Sequence, residues 1–253
     1  MLQELSNCGT WRVAGSLNPK VLIAGHSHTF SMFEALNSSD ELSQIFGIVT
    51  QADFSKHVHQ DNNYWNFVVD SANSQPTVIS WNGNQHNIHF LIDDQSKFKA
   101  QGLSESENYS AVSLARIKEL FTPTFYELGL YLSRFKSRAN LSLVGTPPPL
   151  PKKVLDKRII GDIYFGELAK GLGIAKKDVR ASSDELRTFM WRITQDLAAS
   201  KAAEFGCKFI PTPCTSYDLD SVLLEKYWSN DLTHANKQFG ILMLEEIRRV
   251  HGF

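Results

Sequence analysis

Short apolar runs alternate along the chain with longer segments in which apolar positions recur every three or four residues. The runs have the pattern of buried strands, and the longer segments have that of amphipathic helices. The predicted strands are Val21 to Gly25, Ile45 to Thr50, Thr77 to Trp81, Leu141 to Gly145 and Lys208 to Pro211. The clearest predicted helices are Tyr109 to Arg138, Ser183 to Phe205 and Ala235 to Val250. This alternation predicts an α/β fold with a parallel sheet and helices on both faces.

Several segments do not fit the alternation, among them Gln51 to Asn63, which is polar and His-rich and is also predicted to be a rim loop. Residues 146–158 carry four prolines and four basic residues, and residues 88–107 are polar and rich in Ser, Asp and Gln. We predict that both are loops at the rim of the sheet, where open α/β sheets bind ligands, and that residues 88–107 form a lid or pocket wall. Residues 1–18 are predicted to be an N-terminal extension of one domain that spans residues 1–253.

The composition of the chain argues against a nucleic-acid or membrane partner. The chain is 42% apolar and 21% charged with a net charge of −1, which is typical of globular proteins and offers nucleic acid no basic footprint. No apolar stretch has the length of a signal peptide or a membrane span. We therefore predict a cytoplasmic protein that acts on a small molecule without a nucleic-acid or membrane partner. Cys8, Cys207 and Cys214 lack metal-ligand spacing, and we predict reduced thiols and no cofactor.

Residues suited to acyl transfer fall at the predicted strand ends. Ser27 follows the first strand in a Gly-x-Ser turn, which presents a serine hydroxyl at the edge of a sheet. Asp231 and His234 precede the last helix, and if their segment begins that helix both side chains lie on one face. This arrangement predicts Ser27 as nucleophile, His234 as general base and Asp231 as the carboxylate that orients the base.

A developing oxyanion also needs hydrogen-bond donors. The backbone N–H of Ser27 and the side-chain amide of Asn84 are the predicted donors. Gly83 and His28 are grouped with Asn84 as candidate residues for oxyanion or substrate binding.

The order of these segments resembles that of the SGNH, or GDSL-type, hydrolase superfamily. Its members carry Gly-Asp-Ser after strand one, a lone Gly after strand two, Gly-x-Asn-Asp after strand three and Asp-x-x-His before the last helix. The matching segments here are Gly25-His26-Ser27-His28-Thr29, Asn82-Gly83-Asn84-Gln85 and Asp231-Leu232-Thr233-His234. The resemblance implies a flavodoxin-like, three-layer α/β/α fold with five parallel strands. It also implies serine esterase or acyltransferase activity through an acyl-enzyme.

The chain departs from the family pattern at three places. His26 replaces the Asp of the first block, and the third block lacks its leading Gly and final Asp. The lone Gly of the second block has no counterpart, because Gly47 lies inside the predicted strand and Gln51 or Ala52 stands where the loop begins. One oxyanion donor is therefore unassigned.

Two other functions remain open. The pairs His26 and His28, His57 and His59, and His86 and His89, with Asp53 or Asp231, are suited to zinc or iron in a metal-dependent hydrolase. Metallophosphoesterases, however, place Gly-His-x-His last, whereas Gly-His-Ser-His comes first here. A non-catalytic binding or interaction module with an SGNH-like fold is the third possibility, for which the altered second block and His26 speak. Taken alone, Ser27 and Asp231 each also suit the N-cap of a helix.

The substrate is less defined than the chemistry. The polar rim favours a small ester, such as an acylated carbohydrate, over a long-chain lipid. Trp65, Trp81 and Trp228 either line its pocket or, as we expect for each of them taken alone, pack in the core.

Overall fold

A computed structural model describes residues 11–51, 62–72, 75–81, 90–93, 98–100, 110–135 and 140–253. Its strands are β1 (Trp11–Gly15), β2 (Val21–Gly25), β3 (Phe46–Gln51), β4 (Thr77–Ser80), β5 (Phe98–Ala100), β6 (Ser110–Val112), β7 (Leu141–Val144) and β8 (Lys208–Ile210). Its α-helices are α1 (Thr29–Leu36), α2 (Asp40–Ile45), α3 (Asn62–Ala72), α4 (Leu114–Leu132), α5 (Lys152–Arg158), α6 (Ile163–Gly171), α7 (Asp184–Glu204) and α8 (Lys237–His251).

Six of these strands form one sheet in the order β1-β3-β2-β4-β7-β8, and β5 and β6 form a separate parallel pair. Within the sheet, β3, β2, β4, β7 and β8 are parallel. These are the five predicted strands, each within one residue of its predicted ends. Their order is the flavodoxin-like one, so the predicted α/β class with five central parallel strands is confirmed.

Successive residues of the central strands point to opposite faces of the sheet, and both faces are covered. Val21 and Ile23 of β2 pack on one side in a cluster that includes residues of α1 and α8. Leu22 and Ala24 pack on the other side with residues of α3, α4 and α7. Because both faces are buried, the strand is apolar throughout instead of alternating with polar residues. The result is the predicted three-layer α/β/α arrangement.

Part of the predicted N-terminal extension belongs to the sheet. Strand β1 pairs antiparallel with β3, with Val13 opposite Val49. The prediction of residues 1–18 as an extension is therefore wrong for Trp11–Gly15. This strand is short and contains Arg12 and Gly15, so it lacks the apolar run by which the other strands were predicted. An edge strand tolerates such residues because only one of its sides is paired.

The prediction of the proline-rich segment, residues 146–158, as a rim loop is wrong for Lys152–Arg158, which form α5, whereas residues 146–151 form neither helix nor strand. Residues 146–150 are buried, and α5 follows them directly with Pro151 at its N-cap. Prolines are compatible with the start of a helix, since the first backbone N–H groups have no partner within it. Of residues 88–107, the described parts are 90–93, in which Phe90, Leu91 and Ile92 are buried, and β5.

A fully buried arginine holds the proline-rich segment against α7. Arg187 donates to the backbone oxygens of Leu150 (2.6 Å) and Ser182 (3.1 Å) and pairs with Asp184. Burial lowers the pKa of Arg187 to about 10, although Asp184 and Asp156 favour its charged form. Its donors thus satisfy carbonyls that a buried irregular segment would otherwise leave unpaired.

Among the described helices, none is long and apolar enough to cross a membrane.

Candidate active site

The turn between β2 and α1 depends on a glycine. Gly25 has φ +143°, and a Cβ at this position would lie 2.0 Å from the backbone oxygen of Ser80 in β4. The same Ser80 oxygen accepts a hydrogen bond from the N–H of His26 at 2.9 Å. Only a residue without a side chain allows β2 to end this close to β4. The chain then turns away, and half-buried Ser27 lies in the turn before α1.

Two hydroxyl groups fix this turn to the neighbouring strand. The hydroxyl of Tyr64 accepts from Gly25 N at 2.7 Å and donates to the backbone oxygen of Val49 at 2.8 Å. The hydroxyl of Thr29 donates to the backbone oxygen of His26 at 2.7 Å and lies 3.0 Å from the hydroxyl of Thr50. The ends of β2 and β3 therefore hold the Ser27 turn from both sides.

Asp231 and His234 contact each other directly. Asp231 Oδ2 lies 2.8 Å from Nδ1 of His234. Asp231 Oδ1 accepts from the backbone N–H groups of Thr233 (2.8 Å) and His234 (2.7 Å). One oxygen of the carboxylate thus closes a short turn, and the other orients the ring of His234.

This turn corrects our reason for pairing the two residues. The segment does not begin a helix, because α8 starts at Lys237 and Asn236 caps it by accepting from Gln238 N and Phe239 N. Asp231 is therefore not an N-cap of α8. The spacing of three brings the side chains together through the turn instead.

The environment of Asp231 keeps it ionised. Burial alone would raise the pKa of the carboxyl group, but the His234 side chain and the backbone N–H groups of His234 and Thr233 outweigh it. The pKa of Asp231 consequently lies well below its ordinary value. An ionised Asp231 keeps the proton of a neutral His234 on Nδ1 and leaves Nε2 as the acceptor.

The other ring nitrogen of His234 faces the interior. Nε2 is buried and makes no hydrogen bond within the described part of the chain. Catalytic hydrogen bonds are often long before substrate binds, and no bond between Nε2 and the Ser27 hydroxyl is present among the described residues. Nε2 is therefore a basic atom without a proton donor in this state.

Two side chains anchor the segment that carries Asp231. Arg158, the last residue of α5, donates to the backbone oxygens of Ser229 (2.7 Å) and Asp231 (3.0 Å). The Asn236 amide donates to the backbone oxygens of Lys226 (2.9 Å) and Trp228 (3.0 Å) while its oxygen caps α8. Sequence reasoning missed both residues, because long-range contacts to carbonyls leave no periodic signal. The Asn at a helix start was the one available sign.

Close packing of α1 on α8 brings the two halves of the site together. A Cβ on Gly240 of α8 would lie 2.0 Å from the backbone oxygen of Ser31 in α1. At the same end of this contact, the ring centroids of His28 and His234 are 5.1 Å apart. The residue after Ser27 thus touches the ring that Asp231 orients.

The remaining predicted site residues lie elsewhere or outside the description. Asn84 and Gly83 lie outside the described residues. Gly47 is a packing glycine of β3, since a Cβ there would lie 2.8 Å from the Ser16 backbone oxygen, and Gln51 is the last residue of that strand. The unassigned oxyanion donor stays unassigned.

The ring of His26 packs among aromatic side chains. Its centroid lies 4.6 Å from that of Trp81 and 5.8 Å from that of Trp65. Both tryptophans are buried and also contact Tyr131, which supports the core-packing reading for them. In the part of the chain that is described, no three His, Cys, Asp or Glu residues group as metal ligands. His57, His59, His86, His89 and Asp53, the other residues of the metal hypothesis, lie outside that part.

Comparison with known proteins returns structural neighbours only. No family profile matches the chain, and no curated protein matches it. Solved structures similar to it include a GDSL-like lipase from Bacteroides thetaiotaomicron, with 12% identity, a TM-score of 0.48 and coverage of 91% of this chain and 86% of that one. Phospholipase A1 from Streptomyces albidoflavus aligns with 14% identity, a TM-score of 0.47 and coverage of 90% and 98%. An extracellular lipase from Streptomyces rimosus aligns with 15% identity, a TM-score of 0.47 and coverage of 91% and 99%.

Proposed function

We propose that the chain is a serine hydrolase of the SGNH type that cleaves a carboxylic ester through an acyl-enzyme. The observation that carries the proposal is the ring of His234, which Asp231 holds at Nδ1 while Nε2 is buried without a partner among the described residues. This ring lies beside the turn that presents Ser27. The order of the sequence blocks supports the same assignment of nucleophile, base and carboxylate.

In the proposed reaction, Ser27 Oγ attacks the ester carbonyl carbon while its proton passes to His234 Nε2. The negative charge of Asp231 stabilises the imidazolium that forms. The tetrahedral intermediate collapses when the C–O bond to the alcohol breaks and His234 returns the proton to the leaving oxygen. Water then attacks the acyl-enzyme and gives a proton to His234. The C–O bond to Ser27 breaks, His234 returns the proton to Ser27 Oγ, and the acid is released.

The oxyanion donors of this mechanism come from two segments. The backbone N–H of Ser27 belongs to the turn that leads into α1, where the helix dipole favours negative charge. We propose the Asn84 amide as the second donor. A small polar ester, such as an acylated carbohydrate, remains the proposed substrate, and transfer of the acyl group to a hydroxyl would use the same acyl-enzyme.

Covalent labelling with a fluorophosphonate probe tests the nucleophile. We expect the native protein to be labelled and Ser27→Ala to be unlabelled. Ser38→Ala is the control, since Ser38 is an exposed serine whose hydroxyl donates to the backbone oxygen of Ala35, and it should label like the native protein. Equal labelling of Ser27→Ala, or none of the native protein, would contradict the proposal.

Hydrolysis of a panel of p-nitrophenyl esters and acetylated sugars, with and without a chelator, separates the proposal from the metal-dependent alternative. Full activity in chelator is the expected result. Loss of activity that zinc or iron restores would favour the metal-dependent enzyme.

A further inference from the structure

His28 has an orientation that helix capping does not explain. The residue occupies the N-cap position of α1 with helical backbone angles, φ −66° and ψ −15°, and its side chain makes no capping hydrogen bond. His28 is nonetheless buried, with an exposed fraction of 6%. Capping therefore does not account for the position of its ring.

The ring of His234 is one neighbour of the His28 ring. The two ring centroids are 5.1 Å apart, a distance within the range of aromatic pairs, and the rings are tilted by 54° to each other. His28 directly follows Ser27 in the chain, so its position relative to the nucleophile is fixed by covalent geometry. The contact therefore ties the ring of His234 to the segment that carries the hydroxyl.

The hydrogen bond that His234 Nδ1 donates to Asp231 is not sufficient to hold the ring of His234. A bond at Nδ1 fixes the position of that atom but leaves the ring free to tilt about it, and the terminal torsion of histidine is broad. The side chain of His234 is 28% exposed, so solvent borders part of the ring. A second contact, at a distance from Nδ1, is needed to fix the direction of Nε2.

We propose that His28 is a positioning residue that packs against the ring of His234 and keeps Nε2 directed at Ser27. The inference rests on the proposed function, and it replaces the oxyanion or substrate-binding role that the sequence suggested for His28. The role belongs to the shape of the ring. An aromatic residue without ring nitrogens therefore serves at this position, and a small residue does not.

Steady-state kinetics separates this role from others. His28→Ala is expected to lower kcat by about 10- to 100-fold, since small misplacements of catalytic groups have effects of this order, with KM nearly unchanged. His28→Phe is expected to recover most of the lost kcat. His251→Ala is the control, because His251 lies at the opposite end of α8, and its kcat should stay at the native value. Thermal melts identify variants that have lost the fold.

A nuclear magnetic resonance measurement reads the position of His234 without relying on turnover. Long-range ¹H–¹⁵N spectra, assigned with His234→Ala, are expected to show one tautomer of His234 in the native protein and in His28→Phe, with the proton on Nδ1. His28→Ala is expected to show averaged ring-nitrogen shifts. A native-like His234 tautomer and kcat in His28→Ala would overturn the inference, as would an equal defect in His28→Phe. Absent probe labelling beside the expected spectra would overturn the proposed function alone.

Discussion

The carboxylate of Asp231 combines two tasks in three hydrogen bonds. It closes the turn through the N–H groups of Thr233 and His234, and it orients the ring of His234 through Nδ1. Asparagine at this position keeps the size of the side chain and an oxygen for the turn. It removes the negative charge that stabilises the imidazolium in the proposed mechanism.

Asp231→Asn should therefore retain the fold and lose activity. We expect kcat to fall on the order of 10⁴-fold, because a neutral amide also favours the wrong tautomer of the base. Ester hydrolysis under saturating substrate measures the effect. Asp220→Asn, a change at an exposed carboxylate of the loop after β8, is the control and should leave kcat unaltered. A loss of less than tenfold for Asp231→Asn would contradict the assigned role.

The lowered pKa of Asp231 also predicts how stability depends on pH. An aspartate in an unfolded chain has a pKa of about 3.9. Because the pKa of Asp231 in the folded protein lies below its ordinary value, its stabilising contribution is complete above about pH 4 and is lost as the pH falls further. The Tm difference between the native protein and Asp231→Asn should therefore be constant near neutral pH and shrink under acid. A Tm difference that grows as the pH falls would contradict a lowered pKa for Asp231.

At the scale of elements, the contact between α1 and α8 brings together the segments of Ser27 and His234, the proposed nucleophile and base. Gly240 allows the backbones of the two helices to touch. The turn that contains Asp231 and His234 lies just before the start of α8. Any side chain at 240 must push the helices apart. Both the stability of the fold and the geometry of the site depend on this glycine.

Gly240→Ala should reduce the free energy of unfolding by about 1 to 3 kcal/mol, as overpacking does in other cores. It should also lower kcat, because His234 moves away from Ser27. Gly166→Ala is the matched control, since Gly166 lies in α6 and a Cβ there has nothing within 4 Å. That variant should gain up to about 1 kcal/mol from helix propensity. Urea unfolding and ester hydrolysis measure both variants, and equal behaviour of the two would refute the proposed contact.

The elements also indicate what sequence can and cannot reveal. Strand β2 was predictable residue for residue, because burial on both faces leaves an unbroken apolar run. The pairing of Asp231 with His234 was predictable from their spacing, although the turn that produces it was not. Arg158, Tyr64 and Gly240 could not be found, since each acts on a segment distant in the chain and each residue type has common alternative uses.

At the scale of the whole molecule, the sheet has five parallel strands and one antiparallel strand at its edge. The parallel part follows from alternation of strand and helix, but β1 carries a mixed apolar and polar pattern. Its pairing with β3 depends on the edge that β3 presents, which is a property of the assembled sheet. Local pattern therefore could not predict it.

Removal of β1 should expose the edge of β3. We expect a chain that begins at Ser16 to lose several degrees in Tm, since about 1 kcal/mol corresponds to roughly 2 to 4 °C for a protein of this size. Unpaired strand edges also promote association, so size-exclusion chromatography should detect oligomers. Arg12→Ala keeps the β1 ladder and should remain like the native protein in both measurements. If the shortened chain has the Tm and elution volume of the native protein, β1 does not protect the edge of the sheet.

The packing of α1 on α8 joins segments that the ribosome makes at different times. Strand β2 and the Ser27 turn leave the exit tunnel early, whereas α8 follows every strand of the sheet. A nascent chain thus carries the hydroxyl of Ser27 long before the imidazole of His234. Under the proposed mechanism, ester cleavage requires that α8 has been made and has docked on α1, so cleavage during synthesis would report on that contact.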